Sequence, residues 1–177
     1  MRIFIIGYMG AGKSTIGKRL ARKLDKNFID LDEAFEAKYR YSIPRFFDHF
    51  GEERFREFEK QCLQEIIDRE KDAVISTGGG TACHHDNIDK MNSSGITVYL
   101  KMHPKSLAHR LNRARRLRPV VREVDNQGMQ AFVEEQLAER EAFYEQAQIT
   151  VKGESLDLEE LVDMLKNRKT RDLRLET

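Results

Sequence analysis

No run of apolar residues in this 177-residue chain approaches the roughly 20 needed to span a bilayer as a helix, so no membrane partner is expected. Charge of one sign is lacking too. The 31 lysines and arginines stand against 30 acids, a formal net charge of +1. That balance argues against the global basic field of a nucleic-acid binder, although arginine is concentrated near residue 115. Cysteine is scarce. Cys62 and Cys83 lie in no metal-binding spacing, Cys62 falls on an apolar helical face, and nothing near Cys83 argues that it reacts. His84 and His85 are adjacent, so they cannot face one metal as residues four apart on a helix do. With His49, His103 and His109 they are read as surface or structural residues. No apolar leader opens the sequence, and the expected setting is a reducing cytoplasm. Internal repeats and low-complexity tracts are missing as well. The length suits one domain with a substantial core over residues 1–177, and a monomer is expected.

What is present centres on residues 7–14, Gly-Tyr-Met-Gly-Ala-Gly-Lys-Ser, which fill every fixed position of the phosphate-binding loop pattern. Residues 2–6 before it are an apolar run of buried-strand type. Ile16, Leu20 and Leu24 after it mark one face of a helix. Between a strand and a helix, such a loop turns its N–H groups inward and adds the helix's positive end, making an anion cradle. Gly10, Ala11, Gly12, Lys13, Ser14 and Thr15 are therefore the expected nucleotide-binding set. Lys13 would reach the terminal phosphates, and the Ser14 hydroxyl would take a place on magnesium. The loop alone does not name the acceptor, because it serves ATPases, GTPases and small-molecule kinases alike.

Residues 27–32 read as a second strand ending in Asp30 and Asp32, which on extended chain would project to the same side. Asp30 is the candidate for holding a magnesium-bound water, and Asp32 for gripping or deprotonating an acceptor hydroxyl; the other reading of Asp32 is a cap on the following helix. A short helix is expected over 43–50 with Pro44 at its start, broken by Gly51 ahead of a longer one over 52–70. On that longer helix Arg56 and Glu59, three apart, could pair, and an exposed ion pair is the plain alternative. Residues 72–77 form a third strand that runs into Gly78, Gly79 and Gly80, where either a flexible turn or the close approach of a ligand is implied. Ser76 and Thr77 stand where a phosphate-loop enzyme commonly carries an acid, which leaves the metal-assisting carboxylate to Asp30.

A helix over about 84–92, a strand at 96–100 and a helix opened by Pro104 follow. Five arginines crowd residues 113–122. With no interleaved aromatics, the segment 113–125 reads as a lid over phosphates rather than a nucleic-acid patch. A helix from 128 to 148 carries Arg140 on its polar side, a fifth strand covers 148–151, a closing helix spans 156–166, and the tail 168–177 is expected to fray. Strands alternating with helices imply an α/β domain, a five-stranded parallel sheet sandwiched by helices with active groups at the carboxyl ends of its strands.

Taken together, residues 7–14, Asp30-Leu31-Asp32, residues 51–59, the triple glycine, Arg118-Pro119 and Leu137-Ala138-Glu139-Arg140 with Tyr144 resemble the shikimate kinase family to about residue 165. The resemblance implies the three-layer nucleoside-monophosphate-kinase type of phosphate-loop fold. It also implies transfer of the γ-phosphoryl of ATP to the 3-hydroxyl of shikimate, with magnesium, in aromatic amino-acid biosynthesis. By position, Asp32, Arg56, Gly78, Gly79, Gly80 and Arg140 match the shikimate-binding set, within substrate-binding helices over about 33–61. Glu59 would orient Arg56, and Arg118 matches the lid arginine that meets the ATP phosphates. Lys13, Asp32 and Arg118 are the implied catalytic residues, and residues 152–154 resemble the adenine-side loop. Rival readings are a gluconate or nucleoside-monophosphate kinase of the same fold, and an ATP-binding module that transfers nothing.

Overall fold

The computed structural model describes residues 1–114 and 128–175; Arg118 and most of the expected lid lie outside them. Five short strands carry the fold: β1 (Ile3–Ile6), β2 (Asn27–Asp30), β3 (Ala73–Ser76), β4 (Ile96–Lys101) and β5 (Ile149–Lys152). All pair in parallel, in the order β2-β3-β1-β4-β5. Parallel neighbours need crossovers, and the helices between them cover the sheet, so its central strands are mostly apolar rather than alternating. Every residue of β1 and β3 is buried. Ile3, Phe4, Ile5 and Ile6 are each at most 1% exposed, and burial of each such side chain is worth about 1.5–3 kcal/mol.

From β1 the chain crosses to β2 over one half of the sheet, and from β3 it crosses to β4 over the other. The connections after the adjacent strands β1 and β3 thus leave in opposite directions, and a crevice opens at their carboxyl ends, where ligands bind in open α/β sheets.

Around the sheet lie α1 (Lys13–Lys23), α2 (Leu31–Tyr39), α3 (Ile43–Arg69), α4 (Asn87–Ser94), α5 (Pro104–Ala114), α6 (Met129–Tyr144) and α7 (Leu158–Leu175), with one 3-10 turn at Thr81–Cys83. Helix α3 is broken at Gly51, whose φ of 78° and ψ of 170° lie outside helical space, as its sequence position leads one to expect. The two parts of α3 fold onto α2 through edge-on and tilted ring contacts: Phe35 lies 5.1 Å from Phe46 and 4.9 Å from Phe55, centroid to centroid.

Two boundaries differ from the sequence reading. Strand β2 ends at Asp30 and helix begins at Leu31, so Asp32 belongs to the first helical turn and not to an extended chain. The closing helix, expected over 156–166, spans Leu158–Leu175. Leu158, Leu161, Val162 and Leu165 bury its inner stripe.

Candidate active site

The phosphate loop joins β1 to α1. Gly10 at φ +82° and Gly12 at φ +100° hold left-handed backbone that a side chain would strain. Gly12 is the N-cap of α1 and makes no side-chain cap, which turns the first-turn N–H groups toward the loop. Lys13 is buried, 8% exposed, and its ammonium donates to the carbonyls of Gly7 at 2.8 Å and Tyr8 at 3.0 Å.

Beside the loop, the Ser14 hydroxyl donates to Asp30 Oδ2 at 2.6 Å and lies 3.3 Å from the Ser76 hydroxyl. The other Asp30 oxygen accepts the backbone N–H groups of Asp32, at 3.0 Å, and Glu33. Asp30 is therefore the N-cap of α2, and capping by Asp32 is excluded by where the strand stops. The two carboxylates still reach the same end of the sheet, but a helix turn brings Asp32 there, not the alternation of an extended strand.

Asp32 meets the triple glycine. A Cβ on Gly78 would lie 2.9 Å from Asp32 Oδ1 and 3.0 Å from both Glu59 Oε1 and Thr81 Oγ1. A Cβ on Gly79 would lie 3.0 Å from the backbone nitrogen of Met9, which seats this turn against the phosphate loop. On Gly80 it would lie 2.5 Å from Arg56 Nη2. Three side chains are missing because a carboxylate pair, a loop and a guanidinium fill their places, which decides against a merely flexible turn.

Arg56 and Glu59 pair at 2.9 Å with Glu59 only 2% exposed, so this is no surface ion pair. Glu52 takes the other side of the fork, accepting from Arg56 Nε at 3.2 Å and Nη2 at 3.0 Å. Burial works to lower the Arg56 pKa, and the charges of Glu59 and Glu52 overcome it, holding the guanidinium above its usual range. Its plane also lies near the Phe55 ring, at 5.0 Å. Arg140 projects from α6, donating to Gln136 at 2.5 Å and standing 5.6 Å over the Tyr8 ring. The charges of both arginines are felt at residues 83–84. Burial first, then Arg56, depresses the His84 pKa, with Arg140 adding to it. Cys83 is half-buried, and burial pushes its thiol up against the opposing charge of Arg140, so it is a poor nucleophile.

Two features escaped sequence reasoning. Arg110 of α5 donates to the Ala11 carbonyl at 2.9 Å and braces the outside of the phosphate loop, although nothing in its surroundings in the chain marks it out. Next to it a cavity of about 480 Å³ is lined by Met102, His103, Ser106, His109, Arg110 and Glu154. Glu154, in the segment expected on the adenine side, accepts the His103 N–H at 2.7 Å. Its carboxyl pKa is lowered: burial acts to raise it, and the His103 bond leads the opposing effects that win.

The site so built has an anion cradle with a buried lysine, a hydroxyl–carboxylate pair of hard oxygen donors, and a glycine turn that borders both an acid and an arginine paired to a buried glutamate. Among the described residues no cluster of three or more histidine, cysteine or acidic side chains could hold a metal by itself, and no helix is long and apolar enough to cross a membrane. The sequence pattern that defines the shikimate kinase family matches residues 9–170. A shikimate kinase from Parabacteroides distasonis is 43% identical over 166 residues, covering 94% of this chain and 95% of that one. The crystal structure of shikimate kinase from Bacteroides thetaiotaomicron superimposes with a TM-score of 0.88 at 39% identity, covering 94% of this chain and 98% of its own. The enzyme from Acinetobacter baumannii, solved in complex with shikimate, does so at 0.82 and 30% identity, covering 97% and 93%. The chain belongs to the shikimate kinase family and is an ATP-dependent kinase.

Proposed function

We propose that this chain transfers the γ-phosphoryl group of ATP to the 3-hydroxyl of shikimate, giving shikimate 3-phosphate and ADP. The observation that carries the reading is the convergence of Asp32, Arg56 and its buried partner Glu59 on the Gly78–Gly80 turn, which itself packs on the phosphate loop. Such an arrangement suits a small acid with an alcohol: guanidinium for its carboxylate, a carboxylate for its hydroxyl, a phosphate donor alongside.

Phosphoryl transfer spreads charge over the γ-oxygens in a loose transition state, so catalysis is mostly alignment plus positive charge. Lys13 supplies one charge once its ammonium leaves the Gly7 and Tyr8 carbonyls for the phosphates. Arg118, outside the described residues, is assigned a second. Asp32 aligns the attacking hydroxyl and accepts its proton as the bond to phosphorus forms. Arg56, oriented by Glu59, and Arg140 hold the substrate carboxylate, and the Gly78, Gly79 and Gly80 backbone shapes the floor. Gly10, Ala11, Gly12, Ser14 and Thr15 line the cradle. Ser14 and Asp30 fit magnesium, since a hydroxyl and a carboxylate 2.6 Å apart are the hard oxygens it prefers. Ser14 would bind it directly and Asp30 through water, and the bound ion would neutralise phosphate charge.

The balanced charge speaks against a nucleic-acid partner and the two free cysteines suit a reducing cytoplasm; a monomer with no membrane partner completes the reading. A coupled assay with ATP and magnesium against shikimate, gluconate and a panel of nucleoside monophosphates tests the reading. Brisk turnover with shikimate alone is expected. Turnover with another acceptor, or ATP binding without transfer to any, would replace it.

A further inference from the structure

Thr81 opens the 3-10 turn that follows the triple glycine, and it is 0% exposed. Its hydroxyl donates to Glu59 Oε1 at 2.7 Å, while the other oxygen of Glu59 accepts from Arg56 Nη1 at 2.9 Å. Behind it, the buried Asn87 side chain donates to the Thr81 carbonyl at 2.9 Å. A line of contacts therefore runs from the start of α4 through Asn87, Thr81 and Glu59 to the guanidinium of Arg56.

A glutamate on a helix has three side-chain torsions, and one partner on one oxygen does not fix them all. The second partner on Oε1 decides which way the carboxylate plane faces, and with it the angle at which Arg56 is held. Thr81 has one proton to give and gives it to Glu59, although Asp32 Oδ1 borders the same carbon-sized space beside Gly78. That choice separates the duties of two neighbouring carboxylates: Glu59 is turned to the arginine, Asp32 to the acceptor alcohol.

We infer that Thr81 is a positioning residue for recognition of the acceptor's carboxylate, acting through Glu59 on Arg56. The inference rests on the reading that Arg56 holds that carboxylate. The hydroxyl, rather than the bulk of the side chain, is what the site requires, and its loss weakens binding of the acid while leaving transfer from bound substrate intact.

The experiment compares the full-length enzyme with its Thr81→Val, Thr81→Ser and Arg56→Ala variants by steady-state kinetics in both substrates. Thr81→Val removes a hydrogen bond to a buried charge and is expected to raise the shikimate KM about tenfold. Its kcat and ATP KM should stay within about twofold, and Thr81→Ser should match the parent in all three. In a Glu59→Gln background Thr81→Val should add nothing further, because its effect travels through Glu59. If Thr81→Val fails to fold, Thr81→Ala carries the same expectations. An unchanged shikimate KM in Thr81→Val, with Arg56→Ala raising it, overturns the inference and leaves the pocket standing. Equal defects in the valine and serine variants, or a joint loss of kcat and both KM values, also overturn it by pointing to packing alone. No effect of Arg56→Ala on the shikimate KM would remove the pocket assignment and this inference with it.

Discussion

Gly80 lies flat against the guanidinium of Arg56: the position a Cβ would take is 2.5 Å from Nη2 and 2.9 Å from both Cζ and Nη1. One added carbon must therefore push the arginine off its seat between Glu52 and Glu59. Gly80→Ala is expected to raise the shikimate KM by about tenfold or more, since small misplacements of a positioning group are costly. The ATP KM should hold, because the turn's contact with the phosphate loop runs through Gly79. Initial-rate measurements with each substrate varied in turn check both halves.

Lys13 is held inside the loop it serves, on the Gly7 and Tyr8 carbonyls. Lys13→Ala removes the charge aimed at the transferring group, and kcat is expected to fall by about 10²–10⁴, the range for a lost transition-state donor. A single-turnover assay with labelled ATP gives the number. A near-normal rate would take Lys13 out of the mechanism.

Asp72 ties the amino terminus to the start of β2. Its carboxylate accepts from Lys26 and, at 2.6 Å, from the Met1 ammonium. These bonds, Lys26 first, pull its pKa down to about 2 from 3.8. A depressed carboxyl contributes stability that is present above the unfolded value near 4 and is lost as pH falls toward 2. Its side chain is 57% exposed, so solvent screening trims the contribution to about 0.5–1 kcal/mol. Asp72→Asn should lower unfolding free energy by that amount at pH 7 and by progressively less as pH falls through about 2, as denaturant titrations across that range would read.

Tyr8 is 1% exposed, and its hydroxyl has no hydrogen-bond partner among the described residues. Burial, opposed by Arg140, pushes its pKa up to about 12, so the phenol is neutral wherever the enzyme works. Tyr8→Phe sheds a buried unpaired hydroxyl and keeps the ring beneath Arg140. A gain of roughly 1 kcal/mol is expected, about 2–4 °C in Tm for a chain of this size, with the shikimate KM near the parent value. Calorimetry beside an activity assay tests it. A loss of stability would mean that the hydroxyl is partnered after all.

Much of this molecule is legible in the order of its residues because its cues are local. A complete phosphate loop, apolar strands of buried type and helix-forming stripes between them leave few alternatives to a parallel sheet. The break at Gly51 is legible for the same reason. The cues fail where geometry is set across the sheet. Asp30 and Asp32 suit an extended pair or a capped helix equally well on paper, and the choice falls to the helix because Asp30 can serve its own following N–H groups while binding Ser14. Arg110 and Thr81 touch groups that are distant in sequence, the loop at Ala11 and the carboxylate of Glu59, so no spacing announces them. The pairing of Arg56 with Glu59 is readable from its helical interval, but its burial depends on the turn that packs over it.

The break in α3 differs in kind from the crowded glycine turn. At Gly51 nothing lies within 4 Å of where a side chain would begin, yet φ is +78°. Space is open and only handedness forbids substitution. An alanine of opposite chirality, introduced by chemical ligation, would adopt this backbone without strain and trim the freedom of the unfolded chain, worth about 0.4–1 kcal/mol. The corner between the two helical arms could thus be stiffened by stereochemistry alone.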